Sequence, residues 1–181
     1  VAGGAQRIYG GLVSGNYFDT LGTRAALGRL FSRNDSEQPG TTPHVVLSHR
    51  FWMRNFHGDP SIVGRVLVLN GKSFTVAGVA QEGFQGTTIF VPDLWMPMNM
   101  AADAMPRQAD RLLTSRDAVW LIMGGRLKPG VTREQAQAEL TTIGAALERE
   151  FPEQNRGRGL RVVPLSPIPG NGAPVALFLT G

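Results

Sequence analysis

The sequence predicts an α+β fold: a strand-helix-strand subdomain interrupted by a more β-rich subdomain that holds a hairpin and a short aromatic helix. Three observations carry that expectation. In RVLVLNGKSFTVAGV (65–79), apolar and polar residues alternate up to Asn70-Gly71 and then resume, and both turn residues tolerate the positive φ of a type I′ hairpin turn. Ala136, Leu140, Ile143, Leu147 and Phe151 recur at helical spacing along one stripe, between strand-like runs at 120–127 and 160–165. Val45 to Leu47 form a short apolar strand followed by Ser48 as a cap and an aromatic helix carrying Phe51, Trp52 and Phe56.

Length and composition are compatible with this. The 181 residues, 42% of them hydrophobic, suffice for one good core or two small ones. With no cysteine there is no disulfide framework, thiolate metal site or cysteine nucleophile, and the compartment stays open. The net charge of +4 is dispersed along the chain, which bears on solubility more than on a polyanion partner. Arg156, Arg158 and Arg161 lie in a Gly-rich stretch without interleaved aromatics, so nucleic acid is not expected.

Taken in order, residues 8–14 read as a strand weakened by two glycines, leading to Ser14 as an N-cap. A short helix follows, with Tyr17, Phe18 and Leu21 as core anchors and Gly22 as its stop. Residues 24–31 are expected to be extended, and 32–43 to form a polar loop; Asn34-Asp35-Ser36 within it matches a glycosylation acceptor only by a short, common pattern. The helix after Ser48 ends before Gly58-Asp59-Pro60. The hairpin strands are apolar enough that cover over one face, and most of both, is expected. LWMPM (94–98) reads as an edge strand, because Pro97 removes a ladder donor.

Residues 101–117 lose apolar periodicity and are expected to be a flexible connection. Beyond them, 120–127 is a strand, 128–130 a turn, and Thr132 with Gln135 forms a capping-box pattern that starts the long helix, which Pro152 ends. The apolar run 174–179 fits either a short strand or the first turns of a membrane helix. No apolar run reaches the length of a membrane span.

No chemical constellation emerges, so catalytic, cofactor and metal residues are all expected to be absent. His44, His49 and His57 lack metal-ligand spacing and read as structural or surface residues. Asn70-Gly71-Lys72-Ser73 resembles the end of a phosphate loop, but Val66 stands where the first glycine belongs. Ser14 lacks the surroundings of a nucleophile elbow, and Glu148 and Glu150 fall on different helix faces.

The strings VSGNYFDTLG (13–22), LGRLF (27–31), VVLS with its aromatic helix (45–56), DPSIVGR (59–65), NGKSFTVAGV (70–79) and RLKPGVTREQAQAE (126–139) resemble the periplasmic core domain of MacB-type ABC transporter permeases. They are most similar to the large acidobacterial-type orphan permeases. The resemblance spans about residues 14–165. It implies a porter-like subdomain at 1–27 and 115–166, an inserted β-rich subdomain at 28–100, a flexible connection at 101–114 and a juxtamembrane segment at 167–181. It also implies that the family's first strand and helix lie outside this chain, leaving apolar surface on the 132–151 helix or the 119–127 strand that could pair with a second copy.

For function, the resemblance implies the extracytoplasmic domain of an inner-membrane permease, not an enzyme and without cofactor, that transmits ATP-driven motion during export. Its implied partners are the permease's membrane helices, a cytoplasmic ATP-binding subunit, and a second copy, periplasmic adaptor or exported substrate. The 32–43 loop and the 101–117 segment are the expected contact surfaces. Two rivals stand beside this reading. A free-standing small-ligand module would have natural termini at Val1 and Gly181, and a hydrolase would bring His49 or His57 to a serine and a carboxylate in a pocket.

Overall fold

In the computed structural model, Asn70 and Gly71 take φ values of 50° and 79°, the left-handed pair that a type I′ turn requires. The turn joins β4 (Val66–Leu69) to β5 (Lys72–Ala80), and the long β5 organises a six-stranded sheet. The structure describes residues 6–36, 43–88, 91–118 and 120–164, and the backbone of 175–180. It divides into two units, Val1–Ala109 and Asp110–Gly181.

In the first unit the chain runs through β1 (Gly10–Val13), α1 (Tyr17–Leu21), β2 (Ala25–Gly28), β3 (His44–Leu47), α2 (His49–Phe56), the hairpin, β6 (Leu94–Pro97) and α3 (Ala101–Ala104). The sheet order is β1-β6-β3-β5-β2, with β4 added along β5. Period-two alternation splits each central strand between two cores. Val45, Leu47, Phe74, Val76, Leu94 and Met96 join Phe51 of α2 and Ile62 on one face. Val46, Trp95, Val13 and Ala80 join Phe18 of α1 and Phe31 on the other.

Two glycines let β2 cross β5 closely. Gly28 has φ 66°, and it pairs with Gly78, where a Cβ would stand 2.3 Å from the Arg29 carbonyl oxygen. Ser48 caps α2 as the sequence predicts, its Oγ accepting from the Phe51 N–H at 3.2 Å. Gly22 ends α1 in the left-handed conformation.

Several expectations are corrected here. Ser14 is not the cap residue of α1: that position falls to Asn16, and Ser14 Oγ donates to Asn16 Oδ1. β6 is interior rather than an edge, parallel to β1 and antiparallel to β3; its β3 pairs are Trp95 and Leu94, so Pro97 lies past the end of that ladder, where a missing N–H costs nothing. Residues 1–27 contribute two strands to this sheet, β1 paired with β6 and β2 with β5. β4 is covered on one face only, and Val66 and Val68 are exposed.

The second unit holds α4 (Ala109–Thr114), β7 (Met123–Gly125), α5 (Arg133–Glu150), α6 (Pro152–Asn155), β8 (Gly159–Pro164) and β9 (Val175–Thr180). Its three-stranded antiparallel sheet has the order β7-β9-β8. The capping box at the start of α5 forms in full: Gln135 N–H donates to Thr132 Oγ1, and Thr132 N–H donates to Gln135 Oε1.

Residues 101–114, expected as a flexible connection, instead build α3 and α4, because the alanines at 101, 102, 104 and 109 favour helix once short turns are formed. The expected strand 120–127 shrinks to Met123–Gly125; Trp120 turns its indole Nε1–H to the Leu112 carbonyl at 2.7 Å. The apolar run near the end forms the strand β9 over 175–180, and Val119 and 165–174 lie outside the described residues. On α5 the expected stripe faces inward at Ala136, Leu140, Leu147 and Phe151, all partly buried, and departs at one position: Gly144 is the buried residue, and its neighbour Ile143 is 43% exposed.

Candidate functional site

Three polar groups inside the first unit could carry chemistry, and each is committed to holding the fold. Asp93 is 5% exposed and precedes β6. Its Oδ2 accepts from the Tyr9 N–H at 3.0 Å, and its Oδ1 accepts from Arg54 at 2.9 Å. Its own N–H donates to the Tyr9 carbonyl, and its carbonyl accepts from the Ser48 N–H. One residue thus aligns the entry to β1, the start of α2 and the start of β6, leaving little of the carboxylate for a ligand.

Asp35 is similarly engaged. Arg29 binds it in a fork, both contacts at 2.9 Å, and the Ser32 N–H and hydroxyl add contacts at 2.8 and 2.9 Å. Burial works to raise its pKa, but these hydrogen bonds to the charged form outweigh burial and hold the carboxyl below the usual range. The loop from Ser32 to Ser36 is therefore pinned, and residues 37–42 lie outside the described residues. Tyr17, by contrast, is raised by burial of its phenol, although Thr87 hydrogen-bonds its hydroxyl.

The histidines do not converge with a serine and a carboxylate. The ring of His49 packs edge-on against Trp52 at 5.4 Å. His57 takes φ 52° as the C-cap of α2 and donates its N–H to the Met53 carbonyl. His44 starts β3 with Nδ1 buried and no hydrogen-bond partner among the described residues. Among those residues, no group of three His, Asp or Glu side chains could hold a metal.

The remaining sequence candidates are scattered or structural. Lys72 pairs with Asp103 at 3.4 Å and Asn70 Nδ2 donates to the Ala104 carbonyl, so the phosphate-loop look-alike is a hairpin turn fastened to α3. Glu148 accepts from the Gly157 N–H, whereas Glu150 is exposed. Arg156, Arg158 and Arg161 are exposed around the start of β8.

The second unit offers an apolar groove instead of a polar site. Met123, Gly124, Gly125, Arg126 and Leu127 line it from the β7 side, and Ala136, Leu140 and Val162 from α5 and β8, enclosing about 240 Å³. Nearby, Leu121 and Ile122 are 41% and 61% exposed. The groove exists because α5 packs on β8, one edge of the sheet. Gln137 fixes that packing: its Nε2 donates to the Leu160 carbonyl and its Oε1 accepts from the Val162 N–H, each at 2.8 Å. The side-chain amide thereby takes the place of a neighbouring strand. No sequence pattern marks Gln137 for that role, whereas the Ser32 to Asp35 spacing, a local loop-capping pattern, could have singled out Asp35.

The family model of the MacB-like periplasmic core domain matches residues 1–143. The chain belongs to that family. As a MacB-like periplasmic core domain it belongs to the extracytoplasmic region of an inner-membrane ABC transporter permease. Among the described residues no helix is long and apolar enough to cross a membrane.

A solved structure shares the fold. The periplasmic region of MacB from Actinobacillus actinomycetemcomitans is 17% identical, with a TM-score of 0.52 over 78% of this chain and 56% of that one. The MacB-like chain thus spans little more than half of that region. The extracellular domain of the ABC-type transporter YknZ from Gram-positive bacteria is 20% identical, covering 56% of this chain and 55% of that one, TM-score 0.42. A domain of a permease protein from Porphyromonas gingivalis is 15% identical, covering 94% and 64%, TM-score 0.48. The fold argument rests on the first of these. No curated protein matches the chain.

Proposed function

We propose that this MacB-like periplasmic core domain transmits ATP-driven motion within its permease and contacts the exported substrate or a partner protein. The match to the family over residues 1–143 carries the reading. Its partners are the permease's own membrane helices and a cytoplasmic ATP-binding subunit, with a second copy or a periplasmic adaptor at the contact surface. The domain performs no reaction and binds no nucleotide. Its polar groups support this, since Asp35 and Asp93 are spent on internal hydrogen bonds. Contact with cargo or partner falls to the 32–43 loop and to the 101–117 segment that carries α3 and α4.

These 181 residues contain no cysteine, so with any cysteine elsewhere in the permease replaced, a pair of labels gives a direct test. In the full-length permease with its ATPase, Glu82→Cys and Glu139→Cys place spin labels on exposed positions, one in each unit. The reading predicts that the label separation changes when ATP is added. An unchanged separation during ATP turnover would overturn it, as would micromolar ATP binding by the isolated domain in calorimetry.

A further inference from the structure

Among the described residues β4 pairs on one side only, with β5, and its four residues make it a short edge strand. The type I′ turn makes Leu69 and Lys72 a hydrogen-bonded pair, so Leu67 and Phe74 form the next one, and Val66 and Val68 turn their N–H and C=O groups away from β5. Two bonds fix this phase: the Arg65 carbonyl accepts from the Val76 N–H at 2.9 Å, while the Thr75 N–H, opposite Val66, donates to Pro43 at 2.7 Å. The side chains follow the same alternation. Leu67 and Leu69 pack against the first core, whereas Val66 and Val68 are 59% and 70% exposed.

Natural edge strands are commonly blunted by proline, an inward charge or a bulge. Val66–Leu69 has none of these, and its register with β5 runs without a shift. The cations that flank it are already matched, Arg65 with Asp59 at 3.7 Å and Lys72 with Asp103 at 3.4 Å. A neutral, apolar edge whose outward backbone groups have no partner among the described residues is complementary to another neutral β-strand, and less so to an acidic peptide or a polyanion.

We propose that the strand it pairs with is β4 of a second copy, antiparallel about a two-fold axis at Leu67. In that register Val66 of each copy faces Val68 of the other, so the outward backbone groups of both copies satisfy one another. The four exposed valine side chains come together on one face. Arg65 faces Leu69 of the copy, and no like charges are opposed. The contact is far smaller than the roughly 1,200 Å² of a stable interface, so the pair forms only at high local concentration.

Sedimentation equilibrium and amide exchange of the whole chain test this between about 20 µM and about 1 mM. The weight-average mass is expected to rise toward that of a dimer, and exchange at the Val66 and Val68 amides to slow about threefold or more, while the Leu67 amide, already bonded to β5, is unchanged. Val68→Lys, at an exposed position that leaves the fold intact, abolishes both effects. Ile122→Lys, on the exposed apolar surface of the other unit, preserves them. A chain that stays monomeric at the highest concentration overturns the proposal, and so does association that Ile122→Lys removes and Val68→Lys spares.

Discussion

Strand β6 of the first unit and helix α5 of the second carry equally clear apolar patterns, but they are buried to very different degrees. Leu94, Trp95 and Met96 are all buried, because the sheet has a core on each face. On α5 only Gly144 is buried, Leu140 and Leu147 are half-buried, and Ile143 is exposed. Among the described residues every buried hydrophobic lies at or before Ala109. Periodicity in a sequence therefore reports which face an element can bury, not whether anything covers it. The first unit derives its stability from two closed cores. In the second, the described side chains clamp one helix to one strand of a three-stranded sheet.

The largest expected effect contrasts the two directly. Trp95 is 1% exposed and stacks at 5.3 Å on Phe84 and 5.6 Å on Phe18. Trp95→Ala should cost about 3–5 kcal/mol in urea denaturation, while Ile143→Ala should cost less than about 1 kcal/mol. Equal losses would break the contrast.

Next comes the buried carboxylate. Asp35→Asn removes charge-assisted bonds from Arg29 and Ser32 and should cost about 1–3 kcal/mol at neutral pH. Its folded pKa lies below the unfolded one, so in the window between them the unfolded chain binds a proton that the folded chain does not. Stability therefore rises with pH there: the contribution is fully present above about 3.9 and is lost as the pH falls through the folded value. Denaturation midpoints across that window should slope more steeply in the wild type than in Asp35→Asn.

Two smaller effects sharpen the account of the second unit. Gln137→Ala leaves the Val162 N–H and the Leu160 carbonyl without their partner and should cost about 1–2 kcal/mol, read as faster exchange of the Val162 amide. Gly144→Ala should stabilise α5 by about 0.5–1 kcal/mol, because the new methyl would meet Leu160 at 3.8 Å, an ordinary contact, and glycine is a poor helix former. Thermal denaturation followed by circular dichroism would register that gain.

Much of the fold was legible because local rules and tertiary packing agree. Asn70-Gly71 wrote the hairpin, Ser48 and Thr132 wrote two helix starts, and Gly22 wrote one helix end. Where the reading failed, the deciding fact was non-local. Pro97 marks an edge only if a neighbour needs its N–H, and the ladder to β3 ends before it. On α5 the reading missed one position: Ala136, Leu140, Leu147 and Phe151 face inward as counted, but close approach to β8 selected Gly144, which has no side chain to count, in place of Ile143. The anchoring roles of Asp93 and Gln137 depend on partners 39 or more and 23 or more residues away, respectively, for their side-chain contacts with Arg54, Tyr9 and β8.

Native-state hydrogen exchange tests the central contrast most directly, by reading the Val76 and Val79 amides of β5 and the Ala138 to Ala145 amides of α5 in the same molecule. The account predicts that the β5 amides exchange only through global unfolding and that those of α5 exchange about a hundredfold faster or more, through local opening. Equal protection of the two elements would contradict it.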